Sequence, residues 1–153
     1  MRHRPSAIWR VTAAVIVATG IVAGAIWWLG EQSPRIDPND AQQVSAGEVV
    51  YRAHCASCHG VNLEGQPDWR NRLPNGRLPA PPHDASGHTW HHPDDVLLQI
   101  VRDGPAFYAS LGVQTDMPAF GNVLSEEEIA AVMTYIKSTW PPEIQARQAR
   151  MNR

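Results

Sequence analysis

The sequence predicts an all-α fold with about three main helices and one further apolar helix at the N-terminus. Three segments carry apolar residues at helical spacing and end in residues typical of helix termini. A run of 19 uncharged, mostly apolar residues, 11–29, precedes them. No segment shows the alternation of a strand. We divide the chain into an N-terminal segment 1–30, a linker 31–40, a domain 41–140 and a polar tail 141–153.

The N-terminal segment has the features of a membrane anchor. At about 1.5 Å per residue its helix spans roughly 28 Å, close to the hydrocarbon thickness of a bilayer. Arg2, Arg4 and Arg10 precede the run, and positive flanks remain cytoplasmic. A cleaved signal peptide is the alternative. Both interpretations export the domain, and the first predicts a single-pass protein of the cytoplasmic membrane with its domain on the periplasmic side.

The exported part of the chain is acidic. The whole sequence has 13 Lys and Arg against 15 Asp and Glu. Without the three N-terminal arginines, ten basic residues face fifteen acidic ones, a net charge of −5. This balance argues against a nucleic-acid partner and is compatible with attraction to a basic surface on a protein partner.

The first helix of the domain is predicted to run from about Asp37 to Ala56. Pro38 suits its first turn. Gly47 lies inside it, where glycine costs about 1 kcal/mol relative to alanine. We therefore expect Gly47 to allow close packing against another helix.

The most informative stretch, Cys55-Ala56-Ser57-Cys58-His59, lies at the end of this helix. C-x-x-C-H is the attachment sequence of a c-type haem. Cys55 and Cys58 can form thioether bonds to its two vinyl groups, and His59 can supply the proximal ligand of the iron. A redox pair, half of a zinc site and a disulfide across a very small loop are the alternatives for the two cysteines. The predicted cofactor is one covalently bound haem c.

Residues 60–92 contain five prolines and little periodic structure. A loop of this length in a compact domain predicts that it wraps another group, here the haem. Four histidines fall within ten residues of it: His83, His88, His91 and His92. They predict either a second metal site, for copper or zinc, or imidazoles at the haem edge. Trp90 is a further candidate for the haem edge.

Two more helices follow. The second is predicted over Pro93–Asp103, with proline at its first position and Gly104 after its end. The third begins at Ser125, because Ser125–Glu128 has the sequence of a capping box, and it ends near Trp140. The tail beyond it is predicted to form at most a short surface helix.

Met117 is the candidate for the second axial ligand of the iron. It lies in an irregular segment ahead of the last helix, and Pro118 stiffens that segment. A thioether is a soft ligand, and His/Met ligation raises the reduction potential of a haem. A packing role is the alternative for Met117. The other methionines lie at the chain start, on the apolar stripe of the last helix and in the tail: Met1, Met133 and Met151.

With these parts in this order, the chain resembles the class I c-type cytochromes over about residues 41–139. The matching segments are the first helix with its haem motif, a proline segment, a Met-Pro-x-Phe ligand loop and the last helix: Gly47–His59, Pro79–Pro82, Met117–Gly121 and Ser125–Lys137. The resemblance implies a cytochrome c-like fold. In that fold the first and last helices cross, here with Gly47 and Tyr51 against Val132 and Tyr135.

The resemblance also implies how the iron is held and what the protein does. A proline carbonyl would accept the Nδ1 hydrogen of His59, from Pro81 or alternatively from Pro67. With both axial positions filled we expect no enzyme and no small-molecule substrate. The chain would transfer single electrons between redox proteins, themselves membrane-bound, or serve as a haem subunit of a respiratory complex. The alternatives are a haem-based catalyst or sensor that releases Met117, and a metal-handling module that uses residues 83–92.

Overall fold

The structure is a computed structural model, and it describes residues 35–109 and 111–152. The helices in chain order are α1 (Ala41–His54), α2 (Ala56–His59), a 3-10 helix (Thr89–His91), α3 (Asp94–Asp103), α4 (Pro105–Ala109), α5 (Glu126–Ser138), α6 (Pro142–Ala149) and a second 3-10 helix (Arg150–Asn152). The described residues contain no β-strand, and an isolated parallel bridge joins Leu78 and Thr115. The predicted all-α fold is confirmed for this part of the chain.

The predicted membrane helix, residues 11–29, lies outside the described residues. Within the ranges that the structure does describe, no helix is both long enough and apolar enough to cross a bilayer. The membrane anchor and the signal-peptide alternative therefore both stay predictions.

The helix ends follow from side-chain caps. α1 starts four residues later than predicted, because the carboxylate of Asp40 accepts hydrogen bonds from the backbone N–H groups of Gln42 and Gln43, at 3.0 and 3.1 Å. The start of α5 is confirmed as a capping box. Ser125 Oγ accepts from the Glu128 N–H at 3.2 Å, and the Glu128 carboxylate accepts from the Ser125 N–H at 2.9 Å.

The core of the domain forms where α1 packs on α5. Gly47 is buried at this contact, and a methyl group added to it would lie 1.9 Å from the carbonyl oxygen of Ala131 and 2.9 Å from Cβ of Tyr135. Tyr51 is fully buried, and its ring centre lies 5.4 Å from that of Tyr135. The nearest part of α5 to Gly47 is thus the backbone of Ala131. The resemblance implies Val132 as this neighbour.

The tail is attached more firmly than a surface helix would be. Gln148 of α6 is fully buried, and its Nε2 donates to a carboxylate oxygen of Asp94 at 2.7 Å and to the carbonyl of His92 at 3.1 Å. The Asp94 carboxylate also pairs with Nζ of Lys137 at 2.6 Å, and Lys137 is only 5% exposed. A buried polar network therefore joins α6, the start of α3 and the end of α5.

Candidate haem centre

The C-x-x-C-H motif folds into a helical turn. Cys55 is the C-terminal cap of α1, and its carbonyl accepts hydrogen bonds from the N–H groups of Cys58 at 3.1 Å and of His59 at 2.9 Å. Residues three and four positions apart on a helix share a face, so both sulfurs and the imidazole project from one turn. Both cysteines are free, and burial raises the pKa of the Cys55 thiol to about 11. The motif therefore presents two free thiols beside one histidine.

His59 is prepared to act as a metal ligand. It is only 7% exposed, and burial lowers the pKa of its imidazole, so the ring is neutral at pH 7. Its Nδ1 lies 2.8 Å from the carbonyl oxygen of Pro81. Because a carbonyl can only accept, Nδ1 carries the hydrogen and Nε2 keeps a free lone pair. Of the two prolines that the resemblance offers for this bond, Pro81 rather than Pro67 occupies the position.

The proline segment is held against the turn that follows His59. The Gln66 N–H donates to the Ala80 carbonyl, and the Ala80 N–H donates to Oε1 of Gln66, both at 2.9 Å. Gly65 has a φ of +70°, and a methyl group on it would lie 2.4 Å from the nitrogen of Pro82. Sequence reasoning did not single out Gly65 or Gln66. These contacts fix the position of the Pro81 carbonyl relative to the imidazole of His59.

His83 supports His59 and does not join the other histidines. Its ring stacks on that of His59 with centres 4.0 Å apart, and its Nδ1 lies 2.8 Å from Oγ1 of Thr89. Burial lowers the pKa of His83 well below its usual range, so a second neutral ring lies against the first. The sequence did contain a signal for this contact, since His83 lies only two residues after Pro81.

The four histidines are not gathered into a second metal site. His88 stacks on Trp69 with ring centres 5.1 Å apart, and His91 stacks on Trp90 at 3.8 Å. Among the described residues, no group of three or more His, Cys, Asp or Glu side chains is arranged to hold a metal ion. His88 and His92 do touch, edge to face with ring centres 5.7 Å apart, but the rings of His88 and His91 stack on different tryptophans and His83 stacks on His59. The prediction of a copper or zinc site has no support in the structure.

Trp90 provides a test of whether the site fits a haem. Its indole Nε1 is buried and is, within the described part of the chain, the one buried side-chain nitrogen or oxygen without a hydrogen-bond partner. The guanidinium of Arg147 covers the same ring, 4.9 Å from its centre. Unpartnered buried donors are rare in proteins. A haem carboxylate is an acceptor that would satisfy this donor, and the two free thiols with the neutral imidazole of His59 are the groups that would hold the haem.

The segment around Met117 is fixed on its C-terminal side. The N–H groups of Phe120 and Gly121 donate to the carbonyls of Val101 and Arg102, each at 3.0 Å. Gly104, with a φ of +50°, lets the end of α3 approach this segment, since a methyl group there would lie 2.6 Å from the nitrogen of Ala119. Met117 therefore lies three residues before a backbone attachment of its segment to α3.

The predicted site residues border one hydrophobic core. Cys55, Trp90 and Met117 are each partly buried against the same cluster, which includes Tyr51 and Leu97. Met133, which the sequence assigns to the core, is 2% exposed within α5. The assignment of Met117 as the iron ligand stays a prediction, because it concerns a bond to a group outside the chain.

Comparison with known proteins adds one finding. The family model described as "Cytochrome C oxidase, cbb3-type, subunit III" matches residues 42–136, more than half of the chain. The match includes the C-x-x-C-H motif, the proline segment and Met117, and it ends before α6. No solved structure matches the chain.

Proposed function

Because the chain belongs to the family of cytochrome c oxidase, cbb3-type, subunit III, and so is a monohaem c-type cytochrome with covalently bound haem c, we propose that it is a membrane-anchored carrier of single electrons. Haem-based electron transfer is the function of the domain. The proposal adds three things: His59 and Met117 as the axial ligands, a position at the outer face of the cytoplasmic membrane, and redox proteins as partners. The hydrogen bond between His59 Nδ1 and the Pro81 carbonyl, at 2.8 Å, is the observation that carries it.

On one side of the site, the residues of the haem motif attach the haem and supply one ligand of its iron. When bound, the haem supplies an iron that changes between the ferric and ferrous states. Cys55 and Cys58 hold the group covalently, and His59 offers a neutral Nε2 whose direction is fixed by Pro81. A hydrogen bond of this kind orients the ring and raises its basicity as a ligand. His59 as a whole is only 7% exposed, so little of its side chain meets water.

On the other side, the proposal rests on Met117. It lies in the Met-Pro-x-Phe segment, it is partly buried against the core, and its backbone N–H is held by Oγ1 of Thr115 at 3.1 Å. A soft thioether stabilises ferrous more than ferric iron, so this ligand gives a high potential suited to a respiratory chain. With both axial positions filled, the protein would carry electrons and would not bind a substrate at the iron.

The ligand assignment is tested with Met117→Ala, and Met133→Leu serves as a matched control in the core of α5. We expect Met117→Ala to lower the reduction potential and to remove the long-wavelength sulfur-to-iron absorption band of the ferric protein. Met133→Leu should leave both unchanged, because volume-conserving core exchanges cost little. An unaltered absorption band in Met117→Ala would reject Met117 as the ligand.

The partner and the membrane are a separate part of the proposal. The family is named for an oxidase subunit. The run at residues 11–29 and the arginines ahead of it support an anchor with the domain outside the cytoplasm. We therefore expect the full chain to fractionate with membranes and to co-purify with an oxidase after mild detergent extraction. Recovery of a chain lacking its first 25 residues from the membrane fraction would rule out the anchor.

A further inference from the structure

The proline-rich segment 65–92 reaches across to the loop that carries Met117. The Leu78 N–H donates to the Gln114 carbonyl at 3.5 Å, and Leu78 forms an isolated parallel bridge with Thr115. Nη1 of Arg77 donates to the Thr115 carbonyl at 3.3 Å and forms an ion pair with Asp116. We call these contacts of residues 77–78 with residues 114–116 the clasp. They end one residue before Met117.

Arg77 is presented to this loop by a tight turn of its own. The Gly76 N–H donates to the Leu73 carbonyl, and the Leu73 N–H donates to the Arg77 carbonyl, both at 2.8 Å. The Arg77 N–H is in turn capped by Oδ1 of Asn75 at 3.0 Å. Gly76 takes a φ of +82°, which favours glycine. The turn is therefore built to hold the start of the Arg77 side chain in place.

Met117 thus lies between two attachments of different strength. After it, Phe120 and Gly121 are bonded through their backbone to α3. Before it, the clasp has one long backbone hydrogen bond, from Leu78 at 3.5 Å, and otherwise depends on the side chains of Arg77 and Asp116, which are 41% and 65% exposed. Surface ion pairs are weak. The clasp side is consequently where the loop would open if Met117 left the iron.

We propose that Arg77 is a positioning residue that holds the Met117 loop closed, by way of Thr115 and Asp116, and so sets how readily Met117 is displaced. This inference rests on the proposed function, because it takes Met117 as the ligand. A surface ion pair shifts an equilibrium by at most about fivefold. An added ligand binds the open form alone, so its apparent affinity rises in proportion to the open fraction.

The test is a titration of the full-length, haem-loaded ferric protein with imidazole, followed by loss of the sulfur-to-iron absorption band. We expect Arg77→Gln and Asp116→Asn each to lower the imidazole Kd by about threefold to fivefold. The double variant should match Arg77→Gln, because that change already removes both the ion pair with Asp116 and the bond to the Thr115 carbonyl. Arg70→Gln is the control. It removes a charge of the same sign from the same segment, where Arg70 stacks on Trp69 at 4.1 Å, and it should leave Kd unchanged.

The two single variants separate the clasp from a charge effect on the iron. Arg77→Gln removes a positive charge and Asp116→Asn removes a negative one, so an action through the electric field would move Kd in opposite directions. A loosened clasp moves it in the same direction. Opposite shifts, no shift in Arg77→Gln, or an equal shift in Arg70→Gln would each overturn the proposal. Failure of the ligand assignment is seen separately, as an absorption band that persists in Met117→Ala.

Discussion

The crossing of α1 and α5 gives the sharpest stability prediction, through Gly47→Ala. In an open helix this change would stabilise the protein by about 1 kcal/mol, because alanine is the better helix former. At the crossing the new methyl carbon would lie 1.9 Å from the carbonyl oxygen of Ala131. The obstacle is backbone, so a side-chain rotation cannot relieve the contact. Two opposing effects therefore decide the sign.

The magnitude follows from how far the helices must move. A carbon and a carbonyl oxygen touch at about 3.3 Å, so α1 and α5 would have to separate by more than about 1 Å. A gap of that size forfeits a quarter to a half of the dispersion energy of the facing atoms, which include the fully buried Tyr51. Overpacking of this kind costs about 1–3 kcal/mol, and a backbone clash belongs at the upper end. After the gain in helix propensity, we expect a net loss of about 2 kcal/mol.

The assay is denaturant unfolding of the haem-loaded protein, followed by helical circular dichroism. Ser45→Ala, at an exposed position of α1, is the control, and it should be neutral or slightly stabilising. If Gly47→Ala raises the unfolding midpoint as the control does, the helices do not meet at this glycine and the packing argument is wrong.

Three further outcomes are expected. Asp94→Ala should cost about 3 kcal/mol in denaturant unfolding, because it leaves the 5% exposed Lys137 with an unpaired charge, and adding Lys137→Met should recover most of that loss. Glu126→Gln should cost less than about 1 kcal/mol at pH 7. The hydrogen bond from Arg102 lowers the pKa of Glu126. The stability that the Glu126 carboxylate contributes is therefore complete above its ordinary pKa of 4.5 and is lost as the pH falls through the folded-state pKa. A cost of Glu126→Gln that persists in acid would contradict this expectation. Trp90→Phe should lower the reduction potential of the haem. A haem carboxylate that loses the hydrogen bond from the indole N–H keeps more of its negative charge, and that charge favours ferric iron. An unchanged potential would mean that Trp90 only packs against the core.

The sequence predicted well those features that depend on residues close together in the chain. The capping box at Ser125 and the glycine after α3 depend on neighbours within a few residues, and both ends lie where they were expected. The C-x-x-C-H motif is local in the same way, since Cys55 and His59 are one helical turn apart. The start of α1 was misplaced because two aspartates compete for the cap, and Asp40 rather than Asp37 makes the bonds.

Contacts between distant segments were much harder to predict. The stacking of His83 on His59 depends on the path of the proline segment, which hydrophobic periodicity does not report. The buried amide of Gln148 could not be found from its sequence, because a polar residue in a polar tail is normally exposed. The resemblance did indicate Pro81 as the hydrogen-bond partner of His59, although the two residues lie 22 positions apart in the sequence.

The most direct test of the account is carbon monoxide binding to the reduced, full-length protein at neutral pH. Carbon monoxide binds only an iron with a free axial position. If His59 and Met117 fill both positions, binding should be slow and weak, and Met117→Ala should make it fast. Rapid, tight binding by the unmodified protein would contradict a closed electron carrier and would favour a haem-based catalyst or sensor.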